Sequence, residues 1–166
     1  MNIDEIFSMS GSTGGERPKA HLTIDGKEWI VKFREREDTK WMGRMEYEYN
    51  MAAKKCGIEV ADFSLLPSKI CEGYFASKRF DRLNGKRIHM ISLAGLVEIP
   101  HDDPVLDYVS YLQATLFICQ SQEEVIKAFR LACFNVFAKT MMTILRTLLS
   151  FMMKDNIVID VHQPMT

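Results

Sequence analysis

The sequence predicts an α+β fold, a small antiparallel sheet carrying one helix and followed by a helical part. Three observations predict it. Asp25-Gly26 and Asn84-Gly85 sit between apolar runs, where such dipeptides form tight hairpin turns because both tolerate positive φ. Trp41, Met45, Tyr49, Ala52, Ala53 and Cys56 recur at helical spacing, which marks one face for burial. From Val105 onward the character changes to long helical stretches. A chain of 166 residues, 47% hydrophobic and 26% charged, is large enough for one domain with a core and ordinary for a soluble protein. Its net charge of -1 gives no global pull toward nucleic acid or a membrane.

Residues 1–7 read as a strand fragment or a ragged end. Residues 8–18, rich in Ser, Gly and Thr, read as a flexible loop. In "KAHLTIDGKEWIVKF", Leu22 and Ile24 pair against the strand carrying Trp29 and Val31, and Lys32 lies near its end. The helix that follows is capped by Asp38 or Thr39 and ended by Gly57. "IEVADFSLL" and "GYFASKRF" read as two further strands, and Asn84-Gly85 turns the chain into "KRIHMISL". "VLDYVSYLQATLFI" is a helix. "SQEEVIKAFRLACFNVFAK" is another, opened by a capping box of Ser121 and Glu124, with Ile126, Phe129, Cys133, Val136 and Phe137 as its apolar stripe.

Cys56, Cys71, Cys119 and Cys133 are scattered without metal-ligand spacing, and no signal peptide precedes them. They read as reduced, mostly buried thiols of a cytoplasmic protein. The longest apolar stretch, residues 140–153, is interrupted by Arg146 and falls short of the ~20 residues of a membrane span. Neither direct nucleic-acid binding nor a membrane partner is expected.

Four features occur in a chemically meaningful order. A Gly-rich loop, "TGGERPK", comes first. A strand lysine, Lys32, comes second, and a helix glutamate, Glu46, third. A strand running into the charged linker "SKRFDR" comes fourth. This is the logic of a kinase small lobe, in which loop amides cover the phosphates, the lysine holds them and the glutamate orients the lysine. Each feature alone is ordinary: strand-end lysines and helix glutamates are mostly solvated surface, and a glycine pair before Arg-Pro is mostly a turn.

The segments "GSTGGERPKAHL", "WIVKF", "EYEYNMAAKKCGIEV", "FASKRFDR" and "GKRIHMISLAGL" closely resemble the HipA family of bacterial serine/threonine protein kinases, toxins of toxin–antitoxin pairs. The resemblance runs over about residues 11–139. It implies a kinase-like small lobe over residues 1–91, the start of a helical large lobe over 92–139, and ATP with Mg²⁺ as cofactors. Gly14, Gly15, Arg17 and Lys19 would belong to the phosphate loop, Lys32 would bind the phosphates, and Glu46 would face it. Lys78, Arg79 and Phe80 would form the hinge. Ser12, or Ser10, falls where the family carries an autophosphorylated loop serine. A DNA-binding antitoxin is the implied partner. The extra N-terminal subdomain of full-length relatives has no counterpart here.

The resemblance stops after "FNVFAK". There the family continues with a catalytic loop similar to Asn-x-Asp-Asp-His-x-Lys-Asn, and later a Tyr-Asp pair. This chain reads "TMMTILRT", with no Asp between Asp107 and Asp155. No catalytic or metal-ligating residue is therefore assigned. Codons explain the break. Met141-Met142-Thr143 is encoded ATG ATG ACN, and a reading displaced by one base yields Asp-Asp. The neighbouring codons permit Asn before it and His-Ser-Lys-Asn after it. "VHQPMT", displaced the same way, permits Tyr-Asp. Residues 140–166 thus read as an out-of-frame tail on a truncated large lobe. In their own frame, residues 140–153 lack a helix breaker and are expected to prolong the preceding helix, exposing Met141, Ile144, Leu145, Leu148, Leu149 and Met152. The expected function is that of a HipA-like kinase whose chain is catalytically incomplete. The alternatives are a non-catalytic fragment that binds the antitoxin and a pseudogene product.

Overall fold

The computed structural model describes residues 3–9, 18–35, 37–83, 86–96, 98, 107–138, 148–153 and 156–161. The chain divides into two compact units. One comprises Met1–Lys54 with Ala61–Arg82, the other Lys55–Val60 with Leu83–Thr166.

The first unit opens with helix α1 (Ile3–Met9) rather than a strand fragment or ragged end. Its docking explains the difference. Ile3 is buried among Val31, Phe33, Tyr74 and Ala76, and the Asp4 carboxylate accepts from Ser68 Oγ at 2.7 Å, the Lys69 N–H at 2.9 Å and the Tyr74 hydroxyl at 3.1 Å. Those bonds hold the Asp4 carboxyl below its usual range. The hairpin of β1 (Lys19–Ile24) and β2 (Lys27–Lys32) forms as the sequence dictates, with Leu22 opposite Trp29. Its turn residues Asp25 and Gly26 have φ of 50° and 72°, the left-handed pair that matches strand twist. With β3 (Phe63–Leu66) and β4 (Tyr74–Lys78) these strands make an antiparallel sheet of order β1-β2-β4-β3. Its core is aromatic: the Phe33 and Tyr74 rings meet edge-on at 5.0 Å.

β4 is the last strand of that sheet in chain order, so the segment "KRIHMISL" adds no strand to it. The two-residue strands β5 (Arg82–Leu83) and β6 (Lys86–Arg87) pair as a small ribbon, and β7 (His89–Ser92) belongs to a different sheet. Asn84 and Gly85 themselves lie outside the described residues.

Helix α2 (Met42–Lys55) forms where expected and ends at Gly57, φ 74°. Before it, the Asp38 carboxylate accepts from the Glu35 N–H at 2.8 Å. The expected face is inward only in part, with Ala53 buried and Met45 and Tyr49 half-buried. Trp41, Ala52 and Cys56 are exposed, while Glu46 and Ala53 are buried. The helix has been turned to bring Glu46 inward.

In the second unit, a four-residue helix α3 (Leu93–Leu96) precedes the neighbouring helices α4 (Tyr108–Cys119) and α5 (Gln122–Phe137). Asp107 caps α4, accepting from the Ser110 N–H at 2.7 Å. Ser121 caps α5 through the Glu124 N–H, as the capping box requires. The α5 stripe is inverted relative to expectation. Ile126, Phe129, Val136 and Phe137 are exposed, Cys133 is half-buried, and the inward face carries Ala128, Leu131, Ala132 and Asn135. Periodicity finds a stripe, but small residues on the opposite face allow closer helix approach.

The tail does not prolong α5, which ends at Phe137. Leu148–Met153 forms β8, paired with β9 (Asn156–Val161) and with β7 in the order β7-β8-β9. The β-branched run in "NIVIDV" supplies a partner strand, and an apolar run of this length suits either periodicity until such a partner exists. Residues 139–147 lie outside the described residues. All four cysteines are free, but Cys56 is exposed and the other three are half-buried, not mostly buried.

Candidate functional site

The expected lysine and glutamate meet. Lys32 ends β2, and its Nζ forms an ion pair with Glu46 Oε1. Both side chains are largely withdrawn from water, 13% and 6% exposed. In so little solvent each charge depends on the other, because an ion left alone there would be strongly disfavoured. The Nζ also lies 5.4 Å from the centroid of Phe75, the residue opposite Lys32 on β4.

A glycine sets this geometry. Gly43 stands one helical turn before Glu46, on the same face of α2. A Cβ at Gly43 would lie 2.3 Å from the Gly73 carbonyl oxygen and 3.0 Å from the Phe75 nitrogen. Its absence lets α2 rest directly on the start of β4, which carries Glu46 over Lys32. Gly73, φ 119°, is itself packed under Leu65 and Leu66. Neither glycine was singled out from the sequence. The available signal for Gly43 was a glycine inside a helical pattern, which loses about 1 kcal/mol of helix propensity unless close packing requires it.

Lys19 lies directly across the β1–β2 ladder from Lys32, so the end of the sheet presents two cations side by side. Ser10, Ser12, Gly14, Gly15 and Arg17 lie outside the described residues. The cavity behind the pair, lined by Lys32, Arg34, Gly43, Glu46 and Tyr74 among others, holds about 10 Å³, room for about one water. The described residues therefore fit one part of a nucleotide site, a held lysine, without enclosing a nucleotide-sized space.

Lys78, Arg79 and Phe80 are placed elsewhere. Lys78 lies three residues beyond Phe75 along β4, about 10 Å away. Its N–H donates to the Asp62 carbonyl, and its Nζ pairs with Asp62 at 3.3 Å. The Arg79 N–H donates to the Glu28 carbonyl at 2.8 Å. The Arg79 guanidinium grips Asp81 through bonds of 2.9 and 2.6 Å and reaches His21 Nδ1 at 2.6 Å. The hydrogen bonds and charge of Arg79, with the charge of Arg82, hold the Asp81 carboxyl below its usual range against the opposing effect of burial. Phe80 is half-buried. This segment has the chemistry of a structural brace, with both Lys78 and Arg79 N–H groups already bonded to protein.

Among the described residues no three His, Cys, Asp or Glu side chains gather as a metal site, and no helix is long and apolar enough to cross a membrane. Between Asp107 and Asp155 the chain carries no Asp.

A family model described as the HipA-like C-terminal domain matches residues 11–141. The fold is similar to a chain in the Shewanella oneidensis MR-1 toxin–antitoxin complex of HipA, HipB and operator DNA, with a TM-score of 0.73 and 16% identity. That match covers 97% of this chain and 48% of the other, so this chain spans about half the length of that relative. No curated protein matches the sequence.

Proposed function

Because the chain belongs to the HipA-like C-terminal domain family, we propose that it retains the phosphate-gripping half of a toxin kinase site and does not itself complete phosphoryl transfer. The observation that carries this reading is the withdrawn Lys32–Glu46 pair. A lysine at the mouth of a sheet places a point charge against phosphate oxygens, and a buried carboxylate fixes where that charge stands. Lys19 adds a second cation at the same sheet end. Gly14, Gly15 and Arg17 supply the covering loop in this reading, with Ser12 as the loop serine and Lys78 to Phe80 as the linker. ATP is the ligand expected. No step is assigned to Mg²⁺, and no residue of this chain is assigned as the catalytic base.

The test separates binding from chemistry. Titration with a fluorescent ATP analogue should give saturable binding that Lys32→Met with Glu46→Leu abolishes while far-ultraviolet circular dichroism is unchanged. Incubation with ATP, Mg²⁺ and a generic protein acceptor should leave Ser12 and the acceptor unmodified by mass spectrometry. Phosphate that appears on either, and disappears in the double variant, would show the chain to be an active kinase.

A second reading draws on the relative's complex with HipB and operator DNA. In it, the chain is a non-catalytic module that binds a DNA-binding antitoxin. A pull-down with the product of the neighbouring gene tests it, and retention that survives the Lys32/Glu46 double variant supports it.

A further inference from the structure

Two things seat helix α1, the burial of Ile3 and one carboxylate. Asp4 Oδ1 accepts from Ser68 Oγ at 2.7 Å and from the Tyr74 hydroxyl at 3.1 Å, and Oδ2 accepts from the Lys69 N–H at 2.9 Å. The Ser68 oxygen itself accepts from the N–H groups of Ile70 and Cys71, each at 3.1 Å, so its own proton is directed to Asp4. Donors converging on both oxygens need an acceptor on each, which a carboxylate supplies and an amide does not. They hold the Asp4 carboxyl below its usual range, so it is charged at neutral pH. Seven residues are too few for a helix to persist alone in water. α1 is therefore a helix when seated and loses that form when unseated.

α1 lies against the strand end that carries Lys32. Side chains alternate along a strand. Val31 and Phe33 point into the cluster with Ile3, Tyr74 and Ala76, while Lys32 points to Glu46 of α2 and to Phe75. Phe7 touches the two residues that follow Lys32. Its ring lies 5.5 Å from the Phe33 ring, and the Arg34 guanidinium stands 5.9 Å from it. The Phe33 N–H donates in turn to the Pro18 carbonyl at 2.8 Å, directly before Lys19, the residue opposite Lys32. The sheet end with both lysines is thus held between two helices, α2 on the Lys32 face and α1 on the other.

We propose that α1 is a strap that regulates the phosphate grip, with Asp4 as its latch and as a positioning residue for Lys19 and Lys32. Seated, it fixes the backbone of residues 31–34 and so the point from which each lysine reaches a phosphate. Unseated, it leaves Phe33 uncovered, and the Pro18 bond and the Lys32–Glu46 pair loosen together. Whatever takes up Ile3, Ile6 and Phe7 lowers the affinity for nucleotide without touching the lysines. This rests on the reading of Lys32 as a phosphate-gripping residue.

Two measurements on the full chain test it. The first is amine acetylation at neutral pH, read at each lysine by mass spectrometry. Lys32, 13% exposed, should label slowly in the parent and several-fold faster in Asp4→Asn, while Lys127 of the second unit keeps its rate. The second is titration with a fluorescent ATP analogue. Its affinity should fall about tenfold in Asp4→Asn, the equivalent of one charge-assisted hydrogen bond, fall less in Tyr74→Phe, and recover in part in Asp4→Glu. Tyr74→Phe removes one donor and keeps the ring in the core, so it carries both measurements if Asp4→Asn does not fold. A parent that binds no ATP analogue, with Lys32 labelling still accelerated in the variants, would overturn the phosphate reading and support the latch. Variants that melt lower, yet keep the parent's Lys32 labelling and affinity below the melt, would reduce α1 to a structural element and overturn the proposal.

Discussion

Phe33 and Phe137 are the same side chain in two regions with opposite surroundings. Phe33 is 2% exposed, fixed between Phe7 and Tyr74, while Phe137, at the end of α5, is 86% exposed. The contrast extends to each region. In the first unit the aromatic residues face inward and a buried carboxylate, Glu46, has its lysine. In the second, α5 presents Ile126, Phe129, Val136 and Phe137 outward. Large exposed apolar stripes on a soluble domain mark a surface that associates or aggregates. The first unit reads as a finished core built around a site. The second has a face whose chemistry suits contact with protein rather than water.

The largest expected effects fall in the first unit. Phe33→Ala should lose about 3–5 kcal/mol of unfolding free energy in urea. Lys32→Ala should lose a similar amount, about 3–5 kcal/mol, because Glu46 is left buried and unpaired by the lysine. Lys32→Met with Glu46→Leu should recover most of that loss. A double variant no more stable than Lys32→Ala would show that the pair is not the source.

Gly43→Ala comes next. Its Cβ would meet the Gly73 carbonyl at 2.3 Å, a backbone atom that cannot swing aside, and overpacking of this kind costs about 1–3 kcal/mol. A neutral or stabilised Gly43→Ala would break the argument that close approach of α2 places Glu46.

Acid should then act on the first unit through Asp81. Its folded pKa is depressed by Arg79 and Arg82, so its contribution is present above the unfolded carboxylate value, about 3.9, and is lost as pH falls through the lower folded value. Thermal melts between pH 6 and pH 2 should show a steeper fall below about pH 4 in the parent than in Asp81→Asn.

The smallest effect belongs to Phe137. Phe137→Lys should change stability by no more than about 0.5 kcal/mol while raising the concentration at which the chain stays monomeric by light scattering. A large stability loss there would erase the contrast between the regions.

Local chemistry was legible in the sequence where one residue type answers one backbone demand. Asp25-Gly26 had to turn, Ser121 had to cap, and Lys32 and Glu46 were found from their order along the chain. What stayed hidden depends on neighbours distant in sequence. The apolar stripes of α2 and α5 were visible, but a stripe does not say which side another element covers. Ala128 and Ala132 settle it for α5, and Gly43 settles it for α2. The strand Leu148–Met153 was unreadable for the same reason, since its apolar run selects a strand only against β7 and β9. The loop residues of the candidate site, Ser12 to Arg17, and the start of the tail, 139–147, lie outside the described residues.

The anchoring of α1 also dictates an order of assembly. Asp4 reaches Ser68, Lys69 and Tyr74 across 64, 65 and 70 positions of chain. Until β4 has been made, Ile3 lacks Tyr74 and Ala76, two of the residues that bury it. The helix docks late, when β4 has emerged, and closing so long a loop slows that step. The sheet that joins β7 to β8 waits longer still, since His89 meets Met152 only after that residue has emerged. Nascent chains stalled between these two points should hold a protease-resistant first unit and an unprotected second, so the two regions acquire their structure at different moments of translation.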